Sequence, residues 1–424
     1  MISFRVSFIV AEENAGHFAR MVADTYGPAL ARQPGYVGHR LVTPYAGEGG
    51  AAPGTRLLEL EFEFDSEESR QAWAASDDHD PAWAAAVRLS RARASAGYYV
   101  LLSGGTPDST TTGTETSREE AMTRSGLEVR DERLLEIVRD PVHQVRGGFQ
   151  FLEGPVWDPG DGPDGGALVF SDIPASRMYV LRADGEVDVY RDPSNMANGN
   201  AWDTRGRLVT CEHATSRVVR EAADGTVEVL ADTYEKRELN SPNDVVVARD
   251  GRVLFTDPTY GRTGFFGVPR EVELDVRAVY SLDPESGELT RIAEDFDQPN
   301  GLCLSDDEAY LYVNDTARML IRRFAFGPGH LGAGEVWAKV TGEGEGNPDG
   351  MKLDGAGNLW CTGPGGVQVF APDGTCLGTV LVPEKVANFA WGGDDRKTLY
   401  LCASTSLYSV PVTVPGPETI VRAR

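Results

Sequence analysis

Apolar and polar positions follow two different textures along the chain. In residues 1–104, alternating or continuous apolar runs at Ile2–Val10, Tyr36–Pro44, Arg56–Phe64 and Gly97–Leu102 read as strands. Between them, a stretch around Asn14–Arg32 carries Phe18, Met21, Val22 and Tyr26 at helical spacing. A second helical stretch runs around Ser66–Ala94 and opens on Ser66 with Glu67 and Glu68, where the helix dipole favours acids. The order βαββαβ predicts a small ferredoxin-like α+β domain over residues 1–104. Residues 105–126 are polar and poor in apolar side chains, so they predict a flexible linker.

From about Leu127 onward, short β-like runs recur with glycine-containing turns, as in Gly206–Thr210, Gly251–Phe255 and Gly357–Trp360. Asp184-Gly185 and Asp224-Gly225 separate apolar runs and signal hairpins. One short pattern returns six times, at Glu153–Trp157, Asn198–Trp202, Asn243–Val247, Asn300–Leu304, Asp349–Leu353 and Asn388–Trp391. A strand-rich repeat with a period of about 45 residues is the signature of a radial array. Four strands per repeat predict a mainly β chain whose residues 127–424 form a six-bladed β-propeller. Either Glu418–Val421 or Leu134–Val138 is expected to close the last blade.

A chain of 424 residues is long enough for these two domains. Its formal net charge of −25 argues against nucleic-acid binding, which needs clustered Lys and Arg. No window reaches the apolar length of a membrane helix. Met1–Val10 is followed at once by Glu12 and Glu13, so it reads as a first strand and not as a signal peptide. Cys211, Cys303, Cys361, Cys376 and Cys402 all lie in the repeats without CxxC spacing, which suits reduced thiols and a cytoplasmic location.

In a propeller the innermost strand of each blade starts at one mouth of the central channel. Glu153, Asn198, Asn243, Asn300, Asp349 and Asn388 would therefore converge on one ring. Turn capping explains an Asn or Asp at any one repeat, but it does not demand one at every repeat. Acids and amides gathered without cationic side chains call for a cation. Hard oxygen donors select Ca²⁺, Mg²⁺ or Mn²⁺, with Ca²⁺ favoured where ligands are numerous, and carboxylates leave Zn²⁺ open. His213 and Asp257 end second runs near the same mouth; each is either a substrate or acid/base contact or a structural hydrogen-bonding group. No Gly-x-Ser-x-Gly nucleophile motif is present.

The runs Gly148–Trp157, Asn198–Arg220, Leu239–Tyr260, Gln298–Leu302 and Pro348–Leu353 resemble the SMP-30/gluconolactonase/LRE-like family, and the similarity covers roughly residues 130–412. The resemblance implies a propeller with one catalytic divalent cation, held by the Glu of Glu-Gly-Pro, the Asn of Pro-Asn-Asp, the Asn of Pro-Asn-Gly and the Asp of Pro-Asp-Gly. Here these are Glu153, Asn243, Asn300 and Asp349, and Asp349 inherits the role of general base. The expected activity is opening of a lactone or ester, with Asn198, His213 and Asp257 as substrate contacts. Animal members carry an Arg two residues before the Asn of Pro-Asn-Asp; this chain has Ser241 there, so the animal substrate does not transfer.

Residues 1–104 resemble the dimeric α+β barrel of antibiotic biosynthesis monooxygenases, through their element order and the Asp80–Trp83 segment. That likeness implies a homodimer built on this domain, with His17, Trp73, His79 and Trp83 as polar and aromatic candidates. Two alternatives accompany the lactonase: a natural-product tailoring enzyme using both domains, and a non-catalytic, metal-stabilised ligand-binding propeller.

Overall fold

Each polar residue of the six-fold column lies within the first three residues of the inner strand of an antiparallel sheet, or two residues before it. The computed structural model describes residues 2–11, 14–23, 27–34, 36–42, 55–64, 90–100, 126–160, 166–222, 224–327 and 331–417. It divides into two compact units, Met1–Thr112 and Gly113–Arg424.

In the first unit, Ile2–Ala11 lies between Thr55–Phe64 and Ser90–Val100, and Tyr36–Val42 forms the edge beside Thr55–Phe64. The helix Ala15–Met21 buries Phe18 and Met21, which confirms the helical spacing there. The last strand starts at Ser90, inside the stretch expected to be helical as far as Ala94. Alanine favours helix, but Arg91-Ala-Arg-Ala94 also alternates at period two, and pairing with the first strand decides the outcome. The rest of the expected second helix, the Asp80–Trp83 segment and linker residues 105–125 lie outside the described residues.

The second unit is a six-bladed β-propeller. Blades one to four are Leu152–Arg191, Ala197–Ala231, Val245–Ala293 and Pro299–Lys339, each with four strands. Blade five runs over Met351–Leu381 and blade six over Val386–Pro411. The inner strands touch one another in cyclic order, and Val386–Gly392 meets Leu152–Asp158 to complete the ring. Each interface between neighbouring blades has its own apolar cluster. Tyr280, Phe170, Phe255 and Trp360 are among the largest fully buried side chains in these layers. Each contributes about 1.5–3 kcal/mol by leaving water, so the ring is held by lateral packing between blades.

Ring closure uses a strand that the sequence pattern did not single out. His143–Gly147 pairs with Ser406–Pro411 and supplies the outer strand of blade six. Leu127–Val129 adds a fifth strand to blade five. The Leu134–Val138 run instead forms the short helix Arg133–Ile137, which buries Leu134 and Ile137, and only Val138 bridges to Val412. Its buried residues recur three apart, the helical spacing. Residues 418–421 are outside the described set. His143–Gly147 is exposed along its whole length, so no apolar alternation marks it.

Glycine follows the column residue at four of the six repeats because the next blade comes very close. A Cβ on Gly154 would lie 1.9 Å from the carbonyl oxygen of Asn198, and one on Gly301 would lie 2.0 Å from that of Asp349. Gly301→Ala is therefore expected to force blades four and five apart and to destabilise the propeller by about 3 kcal/mol or more. Urea unfolding checks this against Gly327→Ala, where the added Cβ meets nothing within 4 Å.

Candidate active site

The ring is set by hydrogen bonds between blades before any side chain reaches the channel. Ser171 Oγ donates to the Asn198 carbonyl at 2.8 Å, and Thr256 Oγ1 donates to the Asn300 carbonyl at 2.8 Å. Asn314 Nδ2 donates to the Asp349 carbonyl at 2.6 Å. In each case the second strand of one blade holds the backbone of the next blade's column residue. Adjacent column side chains are thereby fixed relative to each other.

Glu153, Asn198, Asn243, Asn300 and Asp349 line one cavity of about 80 Å³, together with His213. Asn388 sits behind them. Its Nδ2 donates to Glu153 Oε2 at 3.0 Å, while its Oδ1 accepts from Lys352 Nζ at 3.0 Å and from the Phe389 amide at 2.9 Å. The oxygen of Asn388 is thus already used. Asn300 is arranged the other way round: its Nδ2 donates to Thr316 Oγ1 at 3.2 Å, leaving Oδ1 for the cavity. Asn198 and Asn243 both turn their amide nitrogens toward His213 Nε2, at 3.1 and 3.4 Å. His213 Nδ1 donates to the Phe266 carbonyl at 2.8 Å, which makes Nε2 the acceptor. Burial lowers the pKa of His213 to about 4, so the ring stays neutral and acts as an amide orienter.

The two acids carry the electrostatics. Glu153 is buried, with Oε2 taken by the Gly154 amide at 2.7 Å and by Asn388. Burial, then the charges of Asp349 and Asp244, hold its carboxyl well above the usual range. Asp349 opens partly onto the cavity and lies within hydrogen-bonding reach of Glu153 and Asn300. Burial pushes it up to about 7, against the opposing field of Lys385. Of the nearby ammonium groups, Lys352 bonds Asn388, and Lys385 acts on Asp349 through its field.

A divalent cation fits this donor set. Two carboxylates in one buried cavity, with the charge of Asp349 adding to burial in raising Glu153, sit beside amide oxygens left free by their own NH₂ groups and form an all-oxygen cradle of the kind Ca²⁺ accepts. Among the described residues no group of three or more His, Cys, Asp or Glu side chains is placed to hold a metal, so a cation here would depend on amide oxygens beside the two acids.

Asp257 does not line the cavity. Its two oxygens accept from the Ser241 and Asn240 amides at 2.8 and 2.9 Å. Asp172 and Asp315 hold the entry loops of blades one and four in the same way. Burial raises the Asp257 carboxyl to about 7. The folded state therefore binds its proton more tightly than the unfolded chain does, and stability from this group falls as pH rises from about 4 toward 7. Asp257→Asn turns an NH₂ toward one of the two amides. It is expected to cost about 1–3 kcal/mol and to flatten that pH dependence, read from unfolding midpoints at pH 5 and 8.

Residues 151–405 match the model of the SMP-30/gluconolactonase/LRE-like region, which is more than half of the chain. The chain belongs to the SMP-30/gluconolactonase/LRE-like family. Within it, the chain is 30% identical to a gluconolactonase of Zymomonas mobilis over 310 residues, 64% of this chain and 82% of that protein. It is 30% identical over 263 residues to pentonolactonase XacC of Haloferax volcanii, covering 59% of this chain and 80% of that one. A gluconolactonase structure from Xanthomonas campestris aligns with a TM-score of 0.63 at 35% identity, over 68% of this chain and 94% of that one.

In this SMP-30/gluconolactonase-like chain, several cavity residues carry no signal in the repeat. Phe151, Ile173, Tyr260, Phe266, Thr316, Asn347 and Lys385 reach the cavity from loops and strand ends outside the six-fold column. Asp244 was within reach of sequence reasoning, since it occupies the position that is glycine at four other repeats.

Proposed function

We propose that this protein is a divalent-cation-dependent lactonase, in which Glu153, Asn243, Asn300 and Asp349 would hold the cation and Asp349 takes the proton of the attacking water. The observation that carries this reading is the pairing of Glu153 and Asp349 at one cavity beside amide oxygens left free for a ligand. The gluconolactonase and pentonolactonase relatives support lactone hydrolysis as the reaction. When bound, a divalent cation supplies Lewis acidity at the lactone carbonyl and charge for the developing oxyanion. Ca²⁺ is the first choice, with Mg²⁺, Mn²⁺ and Zn²⁺ as the alternatives to test.

The chain's own groups do the positioning. Thr316 Oγ1 donates to the Pro348 carbonyl at 2.6 Å and accepts from Asn300, which turns the Asn300 oxygen inward. His213 does the same for Asn243 and Asn198, so Asn198 stands beside the cation set as a substrate contact. Glu153 keeps Oε1 for the cavity while two donors hold Oε2. The Asp349 carboxylate opens onto the cavity, where it can accept a proton from an attacking water. The deciding experiment is a lactone panel before and after exhaustive chelation: hydrolysis that stops with chelator and returns with Ca²⁺ supports the reading, and unchanged hydrolysis in chelator sinks it.

We infer further that residues 1–104 form a ferredoxin-like domain through which two chains pair. The sheet order, with the first strand between the third and fourth, supports that fold. Light scattering of the full chain tests the pairing: a monomer would reject it.

A further inference from the structure

The cavity has two unlike sides. Toward blades four to six it offers Asn300, Thr316, Asn347, Asp349 and Lys385. Toward blades one to three Phe151, Ile173 and Phe266 join Tyr260 and the column residues Glu153, Asn198 and Asn243 with His213. Of the polar groups on that second side, Glu153 and Asn243 belong to the proposed cation set, and both His213 nitrogens and the Asn198 amide nitrogen have partners. Phe151 meets Phe266 edge-on at 4.9 Å, and Phe265 packs against both, at 6.4 and 4.8 Å between ring centroids. Phe151 and Phe266 line the cavity and Phe265 continues them, so the three rings form a single apolar rim beside it.

The loop that carries the rim is held from within. Arg262, itself buried, donates to Glu238 Oε2 and to the Glu271 carbonyl, both at 2.9 Å. Arg270 reaches Glu238 Oε1 at 3.2 Å and the His213 carbonyl at 3.4 Å. With its backbone anchored this way, the loop turns apolar side chains outward: Phe265 is 54% exposed, Val268 45% and Val272 47%. A pre-formed, exposed aromatic rim beside a polar reaction centre gains free energy only if something apolar covers it.

We propose that the lactone this site opens carries an aryl or alkyl substituent, which docks on Phe151, Phe265 and Phe266, in place of the polyhydroxyl tail of a sugar lactone. The inference rests on the lactonase reading above and narrows its substrate. Each hydroxyl pressed against these rings would lose water without gaining a partner, whereas an apolar substituent loses nothing there. The rim offers substrate hydroxyls no hydrogen bond, so it favours an apolar substituent over a polyol. In the reaction the water oxygen adds to the carbonyl carbon and the ring C–O bond breaks. The proton passes by way of Asp349 to the departing alkoxide, and the hydroxy acid keeps its substituent. No further reactant is needed.

The test compares γ-phenyl-γ-butyrolactone with ribono-1,4-lactone, two five-membered lactones that differ in their substituents, on the full chain with Ca²⁺. The kcat/KM is expected to favour the phenyl lactone by at least about tenfold. Phe265→Ser, at an exposed position, and Phe266→Ser are each expected to shrink that ratio several-fold, chiefly through KM for the phenyl lactone. Equal or better turnover of ribonolactone by the wild type overturns the proposal. If neither lactone is opened, the lactonase reading fails, and calorimetry with the matching phenyl and polyhydroxy lactams then judges the rim alone. Tighter binding of the phenyl lactam upholds an apolar ligand there; equal binding, no binding or tighter polyol binding overturns it.

Discussion

Asp349→Asn is expected to lower kcat for lactone opening by about 10³-fold without loosening the propeller. The backbone of this residue is held on both sides, by Thr362 Oγ1 accepting its amide hydrogen at 2.8 Å and by Asn314 donating to its carbonyl. An asparagine keeps both contacts and nearly the same shape. What it loses is a negative charge and the ability to take a proton. The sign of the stability effect separates this loss from simple damage. Burial raises the Asp349 carboxyl to about 7, so in cation-free protein this group lowers stability as pH rises from about 4 toward 7. In chelator, the variant should therefore melt at or above the wild-type temperature at pH 8 and show no such gain near pH 4. Calorimetry at the two pH values and initial rates on one lactone check both halves. A kcat within tenfold of wild type would remove Asp349 from the proton-transfer role.

Glu153→Gln is expected to weaken Ca²⁺ binding by at least about 100-fold, since changing even an outer-shell partner of a metal costs 10–100-fold. The substitution replaces one carboxylate oxygen with NH₂ inside the cradle. It also removes a charge that burial, then repulsion from Asp349 and Asp244, disfavours when no cation is bound. Two opposite results are thus expected from one change: a large loss of affinity by titration calorimetry, and unchanged or higher stability in chelator. Wild-type Ca²⁺ affinity in this variant would rule out Glu153 as a ligand.

Much of the fold was legible because the propeller repeats its chemistry. The column residues and the Asp-Gly hairpins recur at blade spacing, and each marks where an inner strand starts or a hairpin turns. The ring-closing strand was not legible, because His143–Gly147 pairs at an exposed edge and needs no apolar alternation. Asp257 resembled a site residue because loop anchors and column residues sit at the same end of each blade. Only the hydrogen bonds to Asn240 and Ser241 separate the two roles. The division of labour among the asparagines was equally hidden. Asn300 and Asn388 have the same side chain at the same repeat position, and one frees its oxygen while the other spends it on Lys352. Phe266 enters from a loop with no counterpart in the repeat, so no periodicity pointed to it.

The strand His143–Gly147 joins the start of the propeller's chain to its end, and the family match covers only residues 151–405. A fragment cut at those limits would lack both outer strands of blade six, His143–Gly147 and Ser406–Pro411, and the Leu127–Val129 strand of blade five. Thr398–Ala403 would become a bare sheet edge, open to pairing with another copy. The smallest portion expected to fold and stay monodisperse therefore runs from about Gly126 to Pro417. A tag or fusion partner placed within residues 127–147 would compete with the clasp that closes the ring, whereas one placed before Gly126 would leave it intact.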